Sequence, residues 1–283
     1  MPRAKFEYLL RERGSSNMTS RGPCSPSVGF VGIGKTGSLF MQSALELFAH
    51  EQLLTTNNPA VKSCGVGARM GWHHASALLW RRAFGERAWK EAFTFALVRD
   101  PWARLVSHWA FHIASRAPLD GGHLSQEERR VAKANESHSI RHFRAWVRHA
   151  RAAHPPWAAD AWRFTTADGH GNERAKSFNA SQLSWLVDET GATELVDDVF
   201  KLEDLERRWP ELQAKVCGLR HISYSQTKNH PAIRAMDHPS HHAPYAHYYD
   251  AETSRIVGEY MAPDVRRFGY RPPLLTHSNP VYS

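Results

Sequence analysis

Cysteine is scarce in this sequence, with three residues among 283, at the widely spaced positions Cys24, Cys64 and Cys217. An odd number at such spacing supports neither a disulfide framework nor a zinc knuckle. No apolar run approaches the length needed to cross a bilayer, and residues 1–17 lack the apolar core of a secretory signal. As written, the chain is expected to be soluble and cytoplasmic. The sequence also contains no internal repeat and no low-complexity tract.

The chain also has fewer acidic than basic residues. It contains 36 lysines and arginines and 28 aspartates and glutamates, which give a formal net charge of +8. This surplus favours anionic partners, but nucleic acid, acidic polysaccharide and a polyphosphate cofactor would all be attracted. With 42% hydrophobic residues, the chain can bury one sizeable core. We therefore predict a loose, polar N-terminal arm over residues 1–27 and a single domain over residues 28–283.

Short apolar strands alternate with helical segments along the chain. Residues 28–33 and 93–98 are predicted as buried strands, and helices are predicted to follow them over residues 38–54 and 102–115. Two such strand–turn–helix units indicate an α/β fold, a P-loop-like three-layer arrangement with a central parallel sheet flanked by helices. Further predicted elements are a strand over residues 194–201 and helices over residues 74–84, 137–150, 179–187, 210–217 and from Asp250 onward.

Each of the two strands ends in a turn suited to binding an anion. The first turn, GIGKTGS at residues 32–38, precedes a helix, so its backbone N–H groups and Lys35 can surround a phosphate. The second turn, RDP at residues 99–101, leads into a helix that carries Ser107, which sets an arginine and a hydroxyl around another small anion. One ligand with two separated phosphate groups would satisfy both turns.

The first turn also fits GxxxxGK[ST], the signature of P-loop kinases and nucleotide hydrolases that use ATP with Mg²⁺. Such an enzyme needs an acidic residue at the end of a second strand to hold Mg²⁺. Asp100 ends that strand, but Arg99 precedes it and Pro101 follows it, and an i, i+4 pair with Arg104 is expected to brace the turn. A kinase or NTPase is therefore an alternative function, and a non-catalytic polyanion-binding module is a third.

The two turns together, KTGS at residues 35–38 and RDPxxRxxS at residues 99–107, resemble those of the sulfotransferases. These enzymes take a sulfuryl group from PAPS (3'-phosphoadenosine 5'-phosphosulfate). The resemblance covers about residues 28–270 in the family's order. Four further segments look like the carbohydrate, Golgi-type branch of the family: residues 72–77, 179–186, 201–205 and 248–270.

The resemblance implies a role for each turn. The first would hold the 5'-phosphosulfate, with Lys35 stabilising the phosphate oxygen from which the sulfuryl group departs, and the second would hold the 3'-phosphate. Lys228, just before a histidine-rich stretch, would add a contact. The expected donor-binding residues are Gly34, Lys35, Thr36, Gly37, Ser38, Arg99, Ser107 and Lys228. This chain departs from the family pattern at Leu39, where a second hydroxyl residue is common.

A general base is also expected, since an attacking hydroxyl must lose its proton. Related carbohydrate sulfotransferases use a histidine at the place of His74, so His74 is the expected base and the adjacent His73 is its rival. The later histidines lack the spacing of a zinc site. They are interpreted as a solvated loop or as a loop folded over donor or acceptor: His238, His241, His242 and His247.

The resemblance further implies the partners of this chain. The acceptor is expected to be a hydroxyl-bearing molecule of the carbohydrate class, with no nucleic-acid partner and no metal. An anchor upstream of this chain would place the enzyme in the Golgi lumen, which leaves the compartment open. The identity of the acceptor and the oligomeric state are left open as well.

Overall fold

The computed structural model describes residues 27–48, 52–54, 76–115, 131, 135–153, 181–234 and 242–275. Within this part of the chain, four parallel strands form one sheet: β1 Ser27–Val31, β2 Gln52–Leu54, β3 Phe93–Val98 and β4 Asp198–Lys201. The strand order is β2-β1-β3-β4. The second strand along the chain therefore lies on one side of β1, and the third strand lies on the other side. Ligands of open parallel sheets bind where such a reversal opens a crevice at the carboxyl ends, which here is between β1 and β3.

Helices fill the connections between the strands and the C-terminal part of the chain. The first five are α1 Ser38–Phe48, α2 Ala77–Phe84, α3 Glu86–Glu91, α4 Pro101–Ser115 and α5 Glu136–Ala153. Those after β4 are α6 Leu205–Lys215, α7 Tyr224–Asn229, α8 Pro231–Arg234, α9 Ala251–Tyr260 and α10 Ala262–Phe268. Short 3₁₀ turns occur at Leu183–Trp185, Leu202–Asp204, Cys217–Leu219 and Tyr245–Tyr248.

The sheet is covered on both faces. Successive side chains of a strand point to opposite faces. On β3, Phe95 joins a buried cluster with Met41 of α1, whereas its neighbour Ala96 joins a different cluster with Trp80 of α2 and Trp185. This alternation confirms the predicted α/β fold with a parallel sheet between layers of helices.

A third buried cluster joins α4 to α5, α9 and the segment before α9. Trp102, at the start of α4, donates from its indole nitrogen to the carbonyl of Ser254 at 2.9 Å, and it accepts at its own carbonyl from the Tyr249 hydroxyl, also at 2.9 Å. Phe143 of α5 packs edge-on against Tyr249. The segment 242–249 is therefore fixed to the N-terminal end of α4.

Several predicted element boundaries are wrong, each because a tertiary contact overrides local preference. The helix predicted over residues 38–54 ends at Phe48, and residues 52–54 pair with β1 as a strand. The helix predicted over residues 179–187 is reduced to one 3₁₀ turn, since Val187 enters a β-bridge with Glu194. Only the last four residues of the strand predicted over residues 194–201 join the sheet.

Helix starts differ from prediction in two places and agree in a third. Helix α6 begins at Leu205 rather than at Pro210, which lies inside it. Helix α5 is capped by Asn135 rather than by Ser137, because the Asn135 side chain accepts from the N–H of His138 at 3.3 Å. Asp250 opens α9 as predicted, in a reciprocal capping box with Thr253.

Parts of the sequence-based predictions lie outside the described residues. These include most of the predicted arm, residues 1–26, and both candidate bases, His73 and His74. The cysteine count gave no support for a disulfide framework, and Cys217 is nevertheless disulfide-bonded. None of the described helices combines the length and apolar character that a membrane span requires.

Candidate functional site

The turn between β1 and α1 has the backbone shape of an anion-binding nest. Lys35 and Gly37 both have positive φ angles, 67° and 81°. Alternation of left-handed with other backbone conformations directs successive N–H groups toward one side. The turn also leads into the N-terminus of α1, where the first N–H groups have no acceptor within the helix. The residues present therefore fit the binding of a phosphate group.

Close packing around this turn explains two of its residues. The positive φ of Gly37 favours glycine, and a Cβ atom there would lie 2.9 Å from a methyl carbon of Leu202, so the Leu202 side chain would have to shift. The Thr36 side chain is fully buried, and its hydroxyl donates to the carbonyl of Ile33 at 2.9 Å. Thr36 therefore stabilises the turn with its side chain.

The turn after β3 is built around Asp100. One carboxylate oxygen of Asp100 accepts from the N–H of Ala103 at 2.9 Å and caps α4, which begins at Pro101. The N–H of Asp100 donates to Glu203 at 2.8 Å. The brace predicted between Asp100 and Arg104 thus takes another form, because Asp100 binds Ala103 and Arg104 binds the first turn, as described below.

The backbone of Arg99 is clamped from behind. The Gln182 side-chain oxygen accepts from the N–H of Arg99 at 2.8 Å, and the Gln182 amide nitrogen donates to the carbonyl of Arg99, also at 2.8 Å. Gln182 is held in turn by the buried carboxylate of Asp264, which accepts from its backbone N–H at 2.8 Å. The guanidinium of Arg99 is thereby carried on a fixed main chain.

Two hydrogen bonds join the first turn to the second. The Arg99 guanidinium donates to the carbonyl of Lys35 at 3.4 Å, and Arg104 donates from Nε to the carbonyl of Gly34 at 3.0 Å. Burial lowers the pKa of Arg99. Burial also lowers the pKa of Arg104 to about 10, a value at which its guanidinium stays protonated at neutral pH. Both turns therefore lie at the same edge of the sheet. The predicted phosphate ligands Lys35 and Arg99 are carried by these two neighbouring turns.

One face of α4 lies against the first turn. Arg104, Ser107 and Phe111 are three and four positions apart, so they share a side of the helix. Arg104 contacts Gly34 at one end of this face, and the ammonium nitrogen of Lys35 lies 4.5 Å from the centroid of the Phe111 ring at the other. Ser107 lies between them and is only 3% exposed. It is a buried residue of the site rather than a surface serine.

Lys228 occupies a more peripheral place. It lies exposed on α7, with its ammonium nitrogen 5.9 Å from the centroid of the Tyr224 ring. Tyr224 packs edge-on against Phe40 near the start of α1, with ring centroids 5.7 Å apart. The structure thus places Lys228 beside α1, on a helix that flanks the first turn.

Sequence reasoning did not single out His242 among the histidines of this stretch, for which a solvated loop and a loop folded over donor or acceptor were both open. His242 is half-buried, and its ring nitrogen Nδ1 lies 2.7 Å from the carbonyl oxygen of Ala243. Burial lowers its pKa, and the positive charges of Arg99 and Lys35 lower it further. The segment that follows His242 contacts Asp100 and Trp102 through Tyr245 and Tyr249, so it lies beside the second turn. No sequence motif marks His242, and the signal was only its position in the histidine-rich stretch before Asp250.

The supporting residues Glu203 and Asp264 were also not recognised from sequence as parts of the site. Glu203 accepts from the N–H of Asp100 at 2.8 Å and from the Tyr270 hydroxyl at 3.2 Å. No group of three or more His, Cys, Asp or Glu side chains suited to a metal ion occurs among the residues that the structure describes.

Asp264→Ala should lower the free energy of unfolding by about 3 kcal/mol, because it removes the acceptor of several buried donors. Asp264 is fully buried and accepts from the Ser181 hydroxyl and from the N–H groups of Gln182 and Leu183. Urea denaturation measures the change. The matched control is Glu259→Ala, which removes an exposed i, i+4 partner of Arg255 and should cost about 0.5 kcal/mol or less. A loss for Asp264→Ala no larger than that of the control would contradict this role.

The chain was compared with protein families, curated proteins and solved structures. No curated protein and no solved structure matches it. The model of the sulfotransferase family matches residues 26–271, which include both turns and all four strands. This chain therefore belongs to the sulfotransferase family, as its two turns predicted, and is a transferase that uses PAPS as the sulfuryl donor.

Proposed function

We propose that this protein transfers the sulfuryl group of PAPS to a hydroxyl of a carbohydrate. In this proposal, the first turn, residues 34–38, binds the 5'-phosphosulfate, and Arg99 and Ser107 bind the 3'-phosphate. The observation that carries it is the pair of hydrogen bonds from Arg99 to Lys35 and from Arg104 to Gly34, which joins the two turns at one edge of the sheet. Two anions held there lie close enough to belong to one nucleotide.

The charge distribution of the site fits the chemistry of sulfuryl transfer. When bound, PAPS supplies a sulfuryl group whose in-line departure leaves growing negative charge on the 5'-phosphate. Lys35 carries the ammonium of the first turn, and the nest supplies N–H groups that need no reorganisation to meet that charge. The Phe111 ring keeps the Lys35 ammonium beside α4 before a ligand is bound. In the proposal, Lys35 moves from this ring to the departing oxygen.

The kinase or NTPase alternative is disfavoured by the role of Asp100. In such enzymes the acidic residue after the second strand holds Mg²⁺. Here one oxygen of Asp100 caps α4, and the other accepts from the Tyr245 hydroxyl at 3.5 Å. Burial raises the pKa of Asp100, and the nearby Glu203 raises it further, which adds to the cost of keeping the carboxylate charged. These features suit a structural cap better than a metal ligand.

The acceptor side of the proposal rests on sequence. The carbohydrate class follows from the four segments that look like the carbohydrate branch of the family, and His74 is proposed as the base that takes the proton of the attacking hydroxyl. Lys228 is proposed as an outer donor contact, since α7 packs beside the start of α1 through Tyr224 and Phe40. Leu39 remains at the position where the family commonly has a hydroxyl.

Arg99→Ala should weaken binding of adenosine 3',5'-bisphosphate about 10- to 100-fold, because one charged hydrogen bond to phosphate contributes about 1.5–3 kcal/mol. Calorimetric titration of the wild-type chain with the bisphosphate, in a chelator, should show metal-independent binding that is tighter than for AMP or for ATP with Mg²⁺. Arg255→Ala, which removes an exposed arginine on α9, is the control and should bind like wild type.

Other results would redirect the assignment. Mg²⁺-dependent ATP turnover would favour the kinase or NTPase. Salt-sensitive binding with no preference among the nucleotides would favour a polyanion-binding module. Unchanged bisphosphate affinity in Arg99→Ala would remove Arg99 from the donor site.

A further inference from the structure

The segment that carries His242 is docked firmly on the second turn. Arg144 of α5 donates to the backbone carbonyls of His247, Tyr248 and Tyr249 at 3.1–3.2 Å. The Tyr249 hydroxyl binds the Trp102 carbonyl, and the Tyr245 hydroxyl reaches Asp100. These contacts hold the segment at the start of α4, next to the Arg99 turn. His242 therefore lies directly before a segment that is fixed by these contacts at the start of α4.

The His242 ring is oriented by its own neighbours. The carbonyl of Ala243 can only accept, so the 2.7 Å contact assigns the proton of the neutral ring to Nδ1. The ring also packs edge-on to Tyr248, with centroids 6.1 Å apart. Nε2 then carries the lone pair and accepts no hydrogen bond from the residues that the structure describes. Nε2 is thus the atom of this ring that a ligand can use.

The groups that act on the His242 ring come from three parts of the chain. Burial lowers its pKa most, and the positive charges of Arg99 on the second turn and Lys35 on the first lower it further. From its own segment, Ala243 supplies the carbonyl and Tyr248 the ring contact. Both cations disfavour an imidazolium, so His242 is neutral near pH 7 before a ligand binds.

We propose that His242 is a ligand of the donor anion, which it binds through Nε2 after taking up one proton from solvent. This inference rests on the proposed function, because the anion in question is the nucleotide that the two turns are proposed to hold. On binding, Nε2 gains the proton and donates a charged hydrogen bond to a phosphate or sulfate oxygen, while Nδ1 keeps its bond to Ala243. Donor binding and proton uptake are then linked.

The direction of the linkage follows from the charges. Burial is the main cause of the lowered pKa of His242 in the free protein, and the positive charges of Arg99 and Lys35 lower it further. A bound bisphosphate offsets these two charges, so their repulsion of an imidazolium is replaced by attraction to the anion. The pKa is then higher in the complex than in the free protein. Between these two values binding takes up a proton, and the contribution of His242 to affinity is lost as the pH rises through the value in the complex.

Isothermal titration of the full chain with adenosine 3',5'-bisphosphate tests this proposal. Heats measured in buffers of different ionisation enthalpy give the number of protons taken up.

His242→Gln and His242→Asn remove the basic Nε2, and the Asn amide can still donate to the Ala243 carbonyl. At pH 6.5 both variants should take up fewer protons than wild type and bind about tenfold more weakly, as expected for a charged hydrogen bond of about 1.5 kcal/mol. At pH 8.5 their affinities should approach that of wild type. Titration of the phosphates themselves is common to all proteins and cancels in the comparison.

His221→Gln is the matched control, since His221 is an exposed histidine beyond α6, and it should behave like wild type. If both His242 variants bind with wild-type affinity and proton uptake, His242 is not a donor ligand. If both variants bind the bisphosphate like wild type but no longer transfer the sulfuryl group, His242 acts on the acceptor instead. That result also overturns the proposal. Failure of wild type to bind the bisphosphate at all would instead overturn the proposed function.

Discussion

Lys35→Ala should lower turnover by about two to three orders of magnitude, while the affinity for adenosine 3',5'-bisphosphate falls much less. The reason is that the contact of Lys35 strengthens only as negative charge develops on the departing phosphate oxygen. In the ligand-free protein, its ammonium rests on the Phe111 ring and the carbonyl of Lys35 is held by Arg99, so the alanine variant keeps the shape of the turn. Steady-state rates with PAPS and calorimetric titration with the bisphosphate measure the two effects separately.

Lys90→Ala removes a lysine whose side chain is 72% exposed on α3, and it serves as the control for loss of one positive charge. Lys90→Ala should leave both turnover and the affinity for the bisphosphate near their wild-type values. If Lys35→Ala reduced turnover and bisphosphate affinity by the same factor, Lys35 would contribute uniform binding and would not stabilise the transition state.

His74→Ala should lower transfer by about two to four orders of magnitude, as expected for loss of a general base, and leave bisphosphate binding intact. A base acts on the acceptor hydroxyl, whereas the donor is held by the two turns, so the two functions should separate. Transfer of radiolabelled sulfate to an acceptor found by screening measures the first, and calorimetry measures the second.

His73→Ala is the matched control, because it removes a neighbouring histidine of the same segment. We expect it to retain transfer. Retained transfer in His74→Ala, with loss in His73→Ala, would move the base to His73, and retained transfer in both would place the base elsewhere.

The sequence predicted the parts of the fold that depend on local pattern. The buried strand β3 follows from the apolar run before Arg99, and the two turns follow from the glycine-rich segment after β1 and from the Asp-Pro pair after β3. The cap that Asp100 forms on α4 was not among these predictions, which paired Asp100 with Arg104 instead. Periodicity gave the helices α1 and α4, although α1 ends earlier than expected.

The remaining features depend on contacts between distant parts of the chain. Gln182 and Asp264 fix the backbone of Arg99 from positions more than 80 residues away, and no local pattern reveals such a clamp. Leu202, which follows β4, packs against Gly37, and no local pattern reveals this contact either. His242 reaches the site only through docking of its segment on α4. Side chains with common structural roles give no signal until the fold brings them together.

The central claim is that one nucleotide spans both turns, and a crystal structure of the full chain with adenosine 3',5'-bisphosphate tests it most directly. We predict the 5'-phosphate within hydrogen-bond distance of Lys35 Nζ and the N–H groups of residues 36–38, and the 3'-phosphate on the Arg99 guanidinium and the Ser107 hydroxyl. A nucleotide bound with both phosphates at one turn, or bound away from this edge of the sheet, would contradict the account.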